Sequence, residues 1–236
     1  MPGITPVWGL PGQQAVQVAV PRIIFAGGVF DWLSLPAGKI IDGVNARDPD
    51  NSPDVDSLRP GLLMGKITAT GLYASSVIGV TQGAYTSGAT TLTILPAQAV
   101  ELVRRFGSAG TATVNVVGPP SAAGTVATTA MTWSAVNTTT GVITCTSLGV
   151  NKVAGCLITA GDGSGVPLTL IPDGFPLHVT DSSGSSISVP FPIFPIGGTV
   201  LTGQIINYPA DSSLQTWLKG SLSTTSGGKF VFDDTY

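Results

Sequence analysis

Apolar and polar positions alternate with a period of two along most of this chain, the pattern of strands with one buried face. Residues 62–70 and 72–80 form two such runs, broken at Gly71 as by a hairpin turn, and β-branched alternation continues over 90–95. Four more runs follow at 111–117, 128–136, 141–148 and 153–159, separated by Gly118-Pro119-Pro120, by 137–141 and by the glycine-rich stretch 161–165. Short strands with turns every 8 to 12 residues or so predict a small sandwich or barrel. Shorter strands are expected at 177–180 and 229–232. The period lengthens to that of a helix twice. At 96–106, Pro96 opens the run, Val100, Val103 and Phe106 share a face, Arg104 and Arg105 close the last turn, and Gly107 follows. At 212–219, Asp211 is the expected cap, Leu214, Trp217 and Leu218 lie on one face, and Gly220 is the expected stop. The fold class is mainly β with two short helices.

Three segments resist this scheme. The proline-rich start alternates in part through Val16, Val18 and Val20 toward Ile23 and Ile24, with Pro21 confining any strand to an edge. It reads equally as an edge strand of its own sheet or as an arm that adds to a neighbour's. In the run Val189-Pro-Phe-Pro-Ile-Phe-Pro, alternating prolines exclude a central strand. Phe191, Ile193 and Phe194 then form either an exposed self-association wall or a buried crossover. The stretch 48–56, DPDNSPDVD, sets four aspartates around two prolines. It departs from a calcium loop, with Pro53 where Gly is needed and Arg59 where Glu is needed, and predicts a solvated acidic loop paired with the flanking Arg47 and Arg59.

Composition narrows the function classes. Only 10% of the 236 residues are charged, against 43% apolar, which excludes coiled coils, charged bundles and intrinsic disorder. The ten basic residues are scattered, so no nucleic-acid face is expected. No run of apolar residues is long enough for a membrane helix, and residues 1–21 lack both Lys/Arg and a long apolar stretch, so no signal peptide is expected. Cys145 and Cys156 fit no metal pattern and are either paired across strands or free. The charge deficit is deepest after residue 107, where Lys152 and Asp162 stand almost alone.

Catalytic templates fail for want of residue types. The single histidine, His178, lies between Leu177 and Val179 on a strand as a structural residue, and the stretch 161–165, GDGSG, sets Ser164 out of register for a nucleophile elbow. Glu101 is the only glutamate and sits on the first helix with a surface role. Neither phosphate nor dinucleotide loops occur, and no cofactor, metal or enzymatic activity is expected.

Three blocks carry a resemblance. Residues 41–76 contain LRPGLLMGKITATGLYA; residues 118–173 contain TWSAVNTTTGVITCTSLGVNKVAG and GDGSGVPLTLIPDG; residues 204–234 contain IINYPADSSLQTWLKGSL and KFVFDD. Their texture resembles the head decoration, or cement, proteins of tailed bacteriophages. The resemblance implies a structural protein on the outer surface of an icosahedral head. It would bind the phage major capsid protein, associate with itself as a homotrimer, and clamp neighbouring capsid subunits. It also implies an N-terminal arm pairing with capsid strands, here through Val16, Val18, Val20, Ile23 and Ile24. The chain is longer than the smallest members. The matching organisation is an extended arm (1–40), a decoration core (41–106 with 174–236) and an added β-rich domain (107–173). The other function consistent with the sequence is a carbohydrate-binding or adhesin-like β module, whose stacking residues would come from Trp8, Trp32, Trp133 and Trp217.

Overall fold

The computed structural model describes residues 23–26, 33–35, 39–52, 54–172, 177–191, 194–224 and 229–235. Its centre is a six-stranded antiparallel sheet in the order β6 (Val77–Val80), β11 (Leu157–Ala160), β8 (Gly110–Gly118), β9 (Ala127–Asn137), β10 (Val142–Cys145) and β7 (Thr91–Thr93). Its two edge strands are neighbours in sequence. Just beyond β6, the Gln82 amide donates to the Thr93 carbonyl at 2.8 Å, so the sheet curls until its edges meet. The period-two alternation turns Leu92, Val114, Val116, Met131, Trp133, Ile143 and Ile158 to the inside as one core.

The first helix, α1 (Pro96–Phe106), has the predicted bounds and packs against β6 and β9. Its buried Gln98 accepts from the Leu95 and Val80 amides at 3.3 and 3.0 Å. The same side chain thus caps the helix and covers the free edge of β6, which would otherwise offer an unpaired amide.

A five-stranded sheet, β12 (Thr169–Leu170), β4 (Leu63–Lys66), β5 (Tyr73–Ser75), β2 (Ile40–Ile41) and β14 (Val189–Pro190), lies beside it, with a short pair formed by β3 (Ser57–Leu58) and β13 (Leu177–His178). Ile41, Leu58, Met64, Tyr73, Val179 and Phe191 fill its core. The third sheet orders β1 (Leu33–Leu35), β15 (Phe194–Leu201) and β16 (Lys229–Asp233), and α2 (Ser212–Thr224) contributes Leu214, Leu218 and Leu222 to its core. Val117 and Leu157 of the curled sheet enter this same cluster, which joins the two bodies. Among the described residues no helix is long and apolar enough to cross a membrane.

Several expectations change. The added β unit is bounded differently: strands of the 107–173 stretch share their sheet with β6 and β7, so the sheet spans 77–160, while β12 joins β4 elsewhere. The run 72–80 divides at Ser76 into β5 and β6, which serve different sheets. The second helix continues through Gly220 to Thr224, because Leu222 extends its apolar face onto the core and outweighs the weak helix preference of one glycine. Despite its prolines, the Phe194 end of the apolar run enters a central strand. Among the described residues β16 pairs with β15 from Gly197 onward, so there Pro195 faces a partner on the β1 side alone and its missing amide disrupts no second ladder.

Glycine positions of opposite kind test this architecture. Gly141 has φ +74°, and a Cβ there would lie 1.9 Å from the Ile94 carbonyl oxygen, whereas Gly220 has nothing within 4 Å of such an atom. Gly141→Ala should destabilise the protein by at least about 2 kcal/mol, and Gly220→Ala should stabilise it by about 0.5–1 kcal/mol. Urea unfolding of the two variants reads both signs; a stabilised Gly141→Ala protein would contradict the hairpin geometry.

Candidate interaction surface

Several of the few charges of this chain are drawn inward. Asp42, Arg47, Asp48, Glu101 and Lys152 are all at most 6% exposed. The Arg47 guanidinium pairs with Asp56 at 2.5 Å and donates to the Gly43 and Ala46 carbonyls and to Ser186 Oγ, while the Arg47 backbone exchanges hydrogen bonds with Ser75 Oγ. Burial, and then the nearby charge of Arg104, lower its pKa from the ordinary arginine value. Arg59 donates to both oxygens of Asp48, at 2.6 and 3.0 Å. Asp50 accepts from Gln98 at 2.9 Å and from Asn207 at 2.8 Å, which ties this loop to α1 and to the segment before α2.

The last turn of α1 is equally occupied. Arg104 makes a two-pronged pair with Glu101, both bonds 2.6 Å, and donates to the Val44 carbonyl. Arg105 donates to the Ser75 carbonyl, to Asp162 and to Ser164 Oγ, and its side chain is 1% exposed. Burial works against ionisation of Asp162. The hydrogen bonds from Ser164 and the Arg105 charge outweigh it and hold the pKa below the ordinary carboxylate value. Lys152 is buried with its ammonium on the Gly118 and Ala127 carbonyls, both at 2.7 Å, and burial lowers its pKa.

These positions bear on two expectations. The 48–56 loop pairs with Arg47 and Arg59 as anticipated; Asp48 at its start is fully buried as an internal joint, while Ser52 and Asp54 are exposed as a solvated loop should be. Glu101 is buried beside Arg104 and has no surface role. The two helix arginines are cross-links between segments. The signal was present as Arg47-Asp48 and Asp56 to Arg59, opposite charges in close order in a chain with few charges.

One face of the curled sheet carries no charge, because its strands hold no charged residue. Thr91 and Thr93 of β7 stand opposite Thr144 and Val142 of β10, which stand opposite Ala135 and Asn137 of β9. Thr91, Thr93, Ala135, Asn137 and Thr144 are exposed and Val142 half-buried, and Thr132 Oγ1 donates to Thr146 Oγ1 at 2.8 Å beside them. The rim is the turn after Asn137, whose Oδ1 accepts from the Thr139 and Thr140 amides at 3.0 Å each. Between rim and strands lies an open depression of about 610 Å³, lined also by Val136 and Thr138.

The residues proposed as contact sites from sequence are scattered. Val16, Val18, Val20 and Ile193 lie outside the described residues, as does the side chain of Phe194. Ile23 is exposed, but Ile24 is wholly buried in the core against α2, with its carbonyl accepting from Leu201 at 2.7 Å. An arm reaching as far as Ile24 is therefore corrected: the chain is pinned there. Phe191 is buried against Tyr73, rings 6.3 Å apart edge to face, so it is the crossover and not a self-association wall. Trp133 is core, and Trp217 packs partly buried beside α2's leucines; Trp8 and Trp32 lie outside the described residues. His178 is exposed, 3.8 Å from Asp54. Among the described residues no three metal-ligating side chains come together. Cys145 and Cys156 are free and buried.

Comparison with known protein families, curated proteins and solved structures finds no match to this chain.

Two outcomes follow from the buried groups. The depressed folded-state pKa of Asp162 means that its contribution is complete above the unfolded carboxyl value, about pH 4. It is lost as pH falls through the lower folded value. Asp162→Asn should accordingly cost stability at about pH 6 and flatten the acid-side loss seen in urea titrations; unchanged slopes would contradict the Arg105 pairing. Burial pushes the Cys156 thiol up to about 11 and raises that of Cys145, so a thiol reagent at about pH 8 should label neither until denaturant is added. Rapid labelling of the native protein would contradict the packing.

Proposed function

We propose that this chain is a structural virion protein that binds the outer surface of a tailed-phage head and stabilises the shell by clamping neighbouring major capsid subunits. The observation that carries the reading is the three-block resemblance, at residues 41–76, 118–173 and 204–234, to head decoration proteins. The blocks fall on the second sheet, on the curled sheet with β12, and on α2 with β16, so they touch each body of the fold.

Physical features support the same reading. A shell-bound protein needs a surface that tolerates close neighbours, and the neutral face of β7, β10 and β9 presents no charge to desolvate. It also needs one fixed arrangement, which the buried Arg105 supports by tying α1 to Asp162 in the turn after β11. Many weak contacts repeated over a lattice bind strongly together, so no deep pocket is required. The protein acts in this reading without cofactor or catalysis, and its partners are the capsid protein and other copies of itself, as a homotrimer. Of the tryptophans that the carbohydrate-binding alternative would use, Trp133 is enclosed in the core and Trp217 packs partly buried in the cluster of the α2 leucines.

The test uses purified particles of the parent phage and the recombinant chain. Mass spectrometry should find the chain on intact particles, and cryo-electron microscopy should place its density outside the shell. Heads stripped of it should rebind the pure protein and regain resistance to heat. Particles that lack the chain, or stripped heads that fail to take it up, would sink the proposal.

A further inference from the structure

We propose that one internal water molecule is bound where α1, the curled sheet and the second sheet meet, held between Arg105 Nε and Ser76 Oγ. The site goes beyond the virion reading and stands independently of it.

Two polar atoms point to it. Ser76 is wholly buried at the crossing from β5 to β6, and the Arg105 side chain is 1% exposed. Among the described residues, Ser76 Oγ and Arg105 Nε are the buried side-chain polar atoms that meet no hydrogen-bond partner. A buried donor or acceptor left in that state forfeits its hydration without return, so each of the two calls for a partner. They are also neighbours. Arg105 Nη1 donates to the Ser75 carbonyl at 2.9 Å, which lays the guanidinium against the peptide that links Ser75 to Ser76. The Ser76 amide donates to the Leu63 carbonyl at 2.9 Å and pins the residue to β4.

The chemistry of the pair selects the ligand. Nε–H only donates, whereas a serine hydroxyl both donates and accepts. An occupant must therefore accept from the first and exchange a hydrogen bond of either sense with the second. Its charge is limited as well. Asp162 already meets the guanidinium charge at 2.9 Å, so an added anion would face that carboxylate and an added cation would face the arginine. Either ion would lose its hydration in an enclosed place with no compensating charge. Size is limited too, because solvent reaches neither atom. The smallest neutral molecule that both donates and accepts is water. Buried waters occur at about one per 27 residues and typically make two to four hydrogen bonds. The second lone pair of the Ser75 carbonyl supplies a third partner here. With this water in place all three guanidinium nitrogens are engaged, and one residue ties α1 to β5, to the crossing at Ser76 and to the turn after β11.

The experiment is a high-resolution crystal structure of the full chain, beside nuclear magnetic resonance spectra of its arginine Nε–H groups. A solvent peak should lie about 2.7–3.2 Å from both atoms, and the Arg105 Nε–H proton should show an Overhauser contact to a bound water. Ser76→Val should lose the peak and the contact and should unfold at lower urea than the wild type. If that variant does not fold, Ser76→Ala replaces it; its peak should remain on Arg105 Nε, with a lowered urea midpoint. A direct hydrogen bond between Nε and Oγ, a dry site, or an ion in place of water overturns the inference. So does a folded Ser76→Val chain at least as stable as the wild type, because filling a dry cavity stabilises whereas displacing a bound water does not.

Discussion

The pairing of Arg105 with Asp162, Ser164 and the Ser75 carbonyl is the interaction on which the arrangement of the fold turns. It joins the end of α1 to the second sheet and to the turn that follows the curled one. Withdrawn from bulk water, the guanidinium has its charge met by Asp162 and its two terminal NH2 groups met by these three partners, while its Nε–H is buried without a hydrogen-bond partner among the described residues. Arg47 and Arg59 repeat the device one layer away. Such pairs add little net free energy over well-packed apolar groups. Their effect is on specificity: a shift of α1 along the sheet would part Arg105 from Asp162, Ser164 and the Ser75 carbonyl and Arg104 from the Val44 carbonyl, so misregistered packings are disfavoured.

This division of labour explains how an apolar chain with three sheets adopts one arrangement. Apolar cores accept many packings of similar volume. Here the three apolar clusters supply the cohesion, and the polar joints between them select the geometry. Gln98 shows the principle on the smallest scale, since one amide group meets β6, its own helix start and Asp50 at once.

Local pattern made much of this legible. The helix at 96–106 carries its start and stop residues in its own sequence, and the strands of the curled sheet follow from alternation of β-branched residues. What the pattern does not carry is which neighbour a strand chooses. Residues 72–80 look like one strand, yet Ser76 separates two sheets, because β5 pairs with β4 while β6 pairs with the distant β11. Glu101 looked exposed because charge at a helix position usually is; its burial depends on Arg104 and the 42–48 loop arriving together. The candidate face was half legible. Its threonines were visible as a charge deficit, but their gathering on one side depends on the order β9, β10, β7, which no single strand encodes.

The pairing of β6 with β11 sets Val80 opposite Leu157 and Val77 opposite Thr159. The chain therefore enters and leaves the curled sheet through adjoining strands, like the two ends of a clasp. A unit whose two ends leave side by side is seated in the rest of the fold at one place, so its strands can open and close as a group without drawing the other two sheets apart.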